Sequence, residues 1–315
     1  MRCSTLGSAD FMRVPLPAAM ITTLSAMRIS FFKACAIICL TLLSACSTLR
    51  LAYNTGPQLA WWWIDGYVDF NNEQAPRVKE SLAQWFSWAR ETQLPEVATL
   101  LASAAVPIME PTTPAQACRW SERTRQLAEP ALDRALVLAA LHVPTLTKAQ
   151  LAQIEQRQRK SNTEMREEQM QADANERSRA AVKRAVERAE RLYGKLGEAQ
   201  RRVIAVNSAA SPFDPALSMA EREKRQAETV QTLRRLASDR PGATQTVAAL
   251  RQLVDQAEHS PRADYRAYQQ RLAEHGCVAA AELHNSTTPA QRQAARKQLK
   301  EWEDDVRVLM AERTQ

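Results

Sequence analysis

The stretch Thr113-Pro-Ala-Gln116 decides how this chain is read. A threonine hydroxyl accepts from a free backbone N–H of the first helical turn, and proline sits at the first helical position without loss. Glutamine three residues on reaches back to the threonine amide. The same design recurs as Asn71-Asn-Glu-Gln74, Thr147-Lys-Ala-Gln150 and Thr288-Pro-Ala-Gln291, and in weaker form as Gly197-Glu-Ala-Gln200. Each marks a helix start. The segments behind them are otherwise unlike, so they read as caps and not as a functional repeat.

Outward from these caps the chain is all-α. Seven glycines in 315 residues, with abundant Ala, Leu, Gln, Glu and Arg, leave little material for sheets and tight turns. No sustained period-two alternation is present. The pattern predicts a multi-helix bundle of about eight helices. They lie near 57–69, 72–105, 114–140, 148–193, 198–208, 215–238, 243–258 and 262–313, the last interrupted around Asn285 to Pro289. Pro95 and Pro130 are expected to kink or split their helices. From Gln158 to Arg179 only Met165 and Met170 offer an apolar stripe. The fourth helix is therefore expected to be one long charged arm, either a solvated face or a partner-binding element.

The first fifty residues have a different character. Arg28 and Lys33 precede an apolar run from Ala34 to Leu43, and small residues follow at Ser44 and Ala45, the three parts of a secretory signal. The uncharged stretch is well short of the roughly 20 residues needed to span a bilayer. Leu43-Ser44-Ala45-Cys46 resembles the lipobox of bacterial lipoproteins. That resemblance implies cleavage after Ala45 and acylation of Cys46, since only a thiol forms the required thioether. Ser47, in place of Asp, implies sorting to the outer membrane. The expected organisation is a signal peptide at 1–45, with 1–26 an overlong gene start before Met27. A lipidated terminus and tether at 46–56 and a single helical periplasmic domain at 57–315 follow.

Removing that leader changes the charge. Arg2, Arg13, Arg28 and Lys33 against Asp10 are lost, so the net charge of +7 falls to +4 over 270 residues. No aromatic-interleaved basic patch accompanies it, which argues against nucleic acid. Of six cysteines, Cys118 and Cys277 remain free of leader and lipid. In an oxidising compartment they are expected to pair, the alternative being two separate buried thiols. The four histidines form no metal-binding spacing, and no nucleophile elbow, phosphate loop or dinucleotide fingerprint is present. No cofactor and no metal is expected.

Five of the seven tryptophans fall between Trp61 and Trp88. Trp61, Trp62, Trp63 and Tyr67 suit either a core between the first two helices or an aromatic belt at a membrane surface. Three consecutive tryptophans point around most of a helix, so at least one is expected to meet a membrane, partner or ligand. Asp65 and Asp69 are one turn apart and close to Glu73, a pattern that serves acid–base chemistry or simple capping.

These residues also resemble a family. Leu43 to Asn54, Trp61 to Gln74, Ala210 to Pro215, Tyr265-Arg-Ala-Tyr268 and His284 to Pro289 look like an uncharacterised family of proteobacterial lipoproteins known only as a domain of unknown function. The likeness includes cysteines like Cys118 and Cys277 and implies no activity. A second echo, Leu146-Thr-Lys-Ala-Gln150, is similar to the LTxxQ motif of small periplasmic helical chaperones. The leading expectation is a non-enzymatic envelope lipoprotein that meets protein or peptide partners and touches the membrane through its lipid. The competing ones are an envelope hydrolase built on Asp65, Asp69 and Glu73 or on His284, and a chaperone-like envelope-stress protein.

Overall fold

A computed structural model describes residues 48–169 and 173–312. Leu43, Ser44, Ala45, Cys46 and Ser47 lie outside the described residues. Among the described residues there are eleven α-helices, two 3-10 turns and no strand. No helix among them is long and apolar enough to cross a membrane.

Contacts divide the chain into two units, with the boundary in sequence between Thr55 and Gly56. In the first, the described part is the short helix α1 (Thr48–Asn54). The second begins with α2 (Gly56–Val68), α3 (Gln74–Ala104), a 3-10 turn (Pro107–Met109), α4 (Pro114–Ala139) and a second 3-10 turn (Val143–Thr145). It continues with α5 (Lys148–Gln169), α6 (Ala174–Tyr193), α7 (Glu198–Ala209), α8 (Pro215–Asp239) and α9 (Ala243–Glu258), and closes with α10 (Ala263–Asn285) and α11 (Pro289–Ala311).

The axis of the second unit is the pairing of α3 with α11. α3 buries Val78, Ala89, Leu94 and Ala98, and α11 buries Ala295, Leu299, Val306 and Leu309, so each helix hides one face at helical spacing. Arg90 of α3 closes the pair. Its guanidinium donates to the carbonyls of Leu309 and Glu312, each at 2.9 Å, and so satisfies groups left open at the end of α11. Two hydrophobic clusters flank this axis. Val186, Ala189, Tyr193, Leu196 and Ile204 gather with Ala295, while Ala140, Leu236 and Leu250 join α8 and α9 to the end of α4. Cys118 of α4 and Cys277 of α10 are bridged, with Cα atoms 5.2 Å apart.

Three expectations need correction. The prolines split nothing: α3 runs through Pro95 and α4 through Pro130. The long fourth helix is two helices, because Asp173 is an extended N-cap whose carboxylate accepts from Asn175 N at 2.7 Å. Nor is its first half a free arm. Asn162 is buried and forms a reciprocal amide pair with Gln226 (2.7 and 3.1 Å), Arg222 donates to Asn162 and Ser161, and Arg166 pairs with Glu223. α5 packs on α8 through polar groups, which is why no apolar stripe marks the contact. The count rises from about eight to eleven through α1, this break, and the foreseen gap between α10 and α11.

Candidate functional site

The carboxylate cluster near the first tryptophans is a helix ending. α2 stops at Val68, and Asp69 takes the left-handed conformation (φ 61°), which Asp tolerates better than most residues. Its amide donates to Asp65 O at 2.7 Å, and the Asp65 carboxylate catches the next free amide, that of Phe70, at 3.1 Å. Glu73 stands exposed, its amide bonded to Asn71 Oδ1 at 3.0 Å. Of the three carboxylates, Asp69 alone lines the neighbouring cleft, an open recess of about 500 Å³ with Asn71, Gln150, Gln153 and Arg159 on its walls. The Asp65 carboxylate is thus committed to the helix end, and the Asp69 side chain faces the cleft.

The tryptophans separate. Trp61 is buried, stacks on Phe70 at 5.9 Å between centroids, and carries the Lys79 ammonium 4.6 Å above its ring. Trp62 and Trp63 face outward, 60% and 47% exposed. Trp63 packs against Tyr67 at 5.0 Å, and the Arg157 guanidinium of α5 lies 5.6 Å from the Tyr67 ring. Trp61 thus belongs to the core, while Trp62 and Trp63 lie open to solvent. The approach of α2 to α3 is close at Gly56, where a Cβ would stand 2.4 Å from the Phe86 ring.

The capping glutamines do more than cap. Thr147 and Gln150 form the reciprocal cap, with Thr147 N to Gln150 Oε1 at 3.0 Å and Gln150 N to Thr147 Oγ1 at 3.2 Å. Gln150 then uses its amide N–H to bind Asp69 O at 3.0 Å and Gln74 Oε1 at 2.6 Å, while Gln74 donates to Thr145 O at 3.0 Å. The starts of α3 and α5 are thus tied to each other. The same arrangement recurs elsewhere in the bundle. Gln200 donates to Ser286 O at 2.6 Å, and Gln291 of the Thr288 cap donates to Lys195 O at 3.0 Å. Thr147 and Gln150 of the chaperone-like Leu146-Thr-Lys-Ala-Gln150 segment are the two sides of this cap.

The histidines are structural as well. His284 is buried with both ring nitrogens engaged, Nε2 to Glu110 O at 2.8 Å and Nδ1 to the Tyr193 hydroxyl at 2.9 Å. A carbonyl only accepts, so Nε2 carries the proton and Nδ1 accepts from Tyr193. Burial pulls the His284 imidazole below its ordinary value against the Glu110 carbonyl, which works the other way, and the Arg292 charge adds to the lowering. Burial also pushes the Tyr193 phenol up to about 12. His142 bonds Ser81 Oγ at 2.8 Å and is lowered by burial and by the Arg77 charge.

A second buried constellation joins α8, α9 and α10. The Arg262 fork grips Glu221 through two bonds of 2.6 Å, and Ser260 Oγ donates to the same carboxylate at 2.9 Å. Burial pushes the Glu221 carboxyl up, and the Arg262 and Ser260 hydrogen bonds more than offset it, so the group lies below the ordinary range. The Tyr268 hydroxyl accepts from Asp214 N at 2.8 Å and meets Ser218 Oγ at 3.0 Å, which ties the 210–215 turn to α10.

A groove remains that the sequence did not announce. It holds about 490 Å³ between α6, α7 and α10, with Ala185, Ala189, Leu192, Ile204, Ala279 and Leu283 on its walls. Its rim is polar, and His275 Nε2 donates to Asn207 O at 2.9 Å across it. The signal was the run of alanines on α6 and α10, which reads equally well as core. Among the described residues no group of His, Cys, Asp and Glu is placed to hold a metal ion.

A family model described as a family of unknown function, DUF6279, matches residues 66–266. The chain belongs to that family. The DUF6279 match runs from the end of α2 into α10, so it takes in the α2–α3 corner, both glutamine-tied caps of α3 and α5, and the Glu221–Arg262 pair. No curated protein and no solved structure matches the chain.

Proposed function

We propose that this protein is a bacterial envelope lipoprotein, anchored by an acylated Cys46 and working through contacts with a protein or peptide partner without chemistry of its own. The lipobox-like Leu43 to Cys46, placed where an export signal ends, motivates the anchor, and Ser47 motivates the outer membrane. The Cys118–Cys277 bridge agrees with an oxidising compartment such as the periplasm. The observation that carries the partner reading is the groove between α6, α7 and α10, whose alanine-lined walls and polar rim suit the side chains of an amphipathic segment. Two of the groups on which a hydrolase would depend are already engaged, the Asp65 carboxylate in a backbone cap and His284 in buried hydrogen bonds.

Two measurements test this. Cys46→Ala should abolish acyl labelling of the full chain; persistent labelling refutes the anchor. A photo-crosslinker at Ser208, on the groove, should join the native protein to a defined envelope polypeptide, while one at exposed Arg202 should not. Equal adducts at both positions, or none at Ser208, refute the partner reading.

A further inference from the structure

Of the seven tryptophans, Trp61 is buried, Trp85, Trp88, Trp120 and Trp302 are half-buried, and Trp62 and Trp63 are exposed. Trp61 supplies packing for α2, while Trp62 and Trp63 keep about half or more of their surface open to solvent. The same helix carries two cations on its other rings: Arg157 lies against Tyr67, which packs on Trp63, and Lys79 lies over Trp61. Exposed indole rings with an apolar body and one N–H, on a helix whose other rings carry Lys and Arg, match the chemistry of a phospholipid headgroup layer.

Chain length supplies the second argument. Gly56, the first residue of α2, follows Cys46 by ten residues, of which Thr48–Asn54 are helical. At about 1.5 Å per helical residue and about 3.5 Å for the others, the tether spans at most about 25 Å. That is less than the diameter of a domain of this size, whose radius of gyration is about 18 Å. A lipid on Cys46 therefore keeps α2 close to the bilayer and makes docking intramolecular, so a surface too weak to bind membrane alone suffices.

We infer that Trp62 and Trp63, on a helix whose Tyr67 and Trp61 carry Arg157 and Lys79, form a docking surface for the phospholipid bilayer that holds the Cys46 lipid. This rests on the lipidation reading. The test uses the full lipidated chain in vesicles of phosphatidylethanolamine and phosphatidylglycerol, a fraction of them brominated near the top of the acyl chains. Tryptophan emission should be partly quenched in the native protein, and the quenched fraction should vanish in the W62F/W63F variant while acyl labelling at Cys46 is unchanged. Labelled protein with unquenched emission overturns the docking surface and leaves the anchor standing, and so does quenching that persists in the double variant. Absence of acyl labelling overturns the anchor, and the inference with it.

Discussion

Gln116 and Gln150 occupy the same place in the same sequence motif, yet their replacement should differ by severalfold in cost. Gln116 accepts from Thr113 N at 2.7 Å on an exposed helix start. Gln116→Ala removes about one solvent-accessible hydrogen bond and should cost about 0.5–1 kcal/mol. Gln150 is 5% exposed and carries its cap bond, the bond to Asp69 O and the bond to Gln74 Oε1. At about 1 kcal/mol each, Gln150→Ala should cost about 3 kcal/mol, raised further where Asp69 O is left dry. The pair with Gln74 adds a sharper criterion. In a double-mutant cycle of Gln74→Ala and Gln150→Ala, the two losses should fall short of additivity by about 1–2 kcal/mol. Urea unfolding followed by helical circular dichroism, with the disulfide intact, measures all four variants. Equal losses for Gln116→Ala and Gln150→Ala, or strict additivity in the cycle, would show that these glutamines are independent caps.

Two further outcomes follow from the bridge and the buried histidines. The Cys118–Cys277 bridge spans 159 residues of sequence, for which loop-closure entropy gives about 5 kcal/mol. C118A/C277A should lower the unfolding free energy by several kcal/mol, and a variant as stable as the native chain refutes the bridge's role. His284 and His142 are depressed below their ordinary 6.5 in the folded state, so the unfolded chain binds protons first. Their contribution to stability is complete above pH 6.5 and is lost as pH falls through and below it. That loss occurs before the carboxylates, with ordinary values near 4.5, begin to protonate. A denaturation midpoint unchanged from pH 7.5 to 5.5 refutes the burial argument.

Local signals made most of the fold legible. Helix starts at Pro114, Lys148, Glu198 and Pro289 follow caps whose chemistry is contained in four residues, and each was placed correctly. The break at Asp173 also had a local signal, because Asp173-Ala-Asn-Glu176 carries the capping pattern. It was hidden in a uniformly polar run, where no change of apolar period marks a boundary. The packing of α5 escaped for the same reason: an amide pair such as Asn162–Gln226 has no hydropathy signature. The tryptophan triplet had to expose at least one ring, since successive residues turn by about 100°, but which ring depends on where α3 lies. Asp65 and Asp69 show the limit most plainly. Four-residue spacing serves a catalytic pair or a helix terminus equally, and the left-handed backbone of Asp69 that separates them is not written in residue types.

The pairing of α3 with α11 dictates when this chain can finish folding. Arg90 meets carbonyls 219 and 222 residues downstream, so α3, though packed on α2 and α4, lacks its main neighbour until that distant segment docks. Closing so long a loop adds little free energy but much waiting, because closure entropy grows only as the logarithm of length while distant contacts form slowly. Until then the apolar face of α3 stays open to solvent, where other unfolded chains can meet it. The segment Pro289–Ala311 therefore completes the bundle: without it ten of the eleven described helices stay in place, but α3 loses the partner that retires it from solvent.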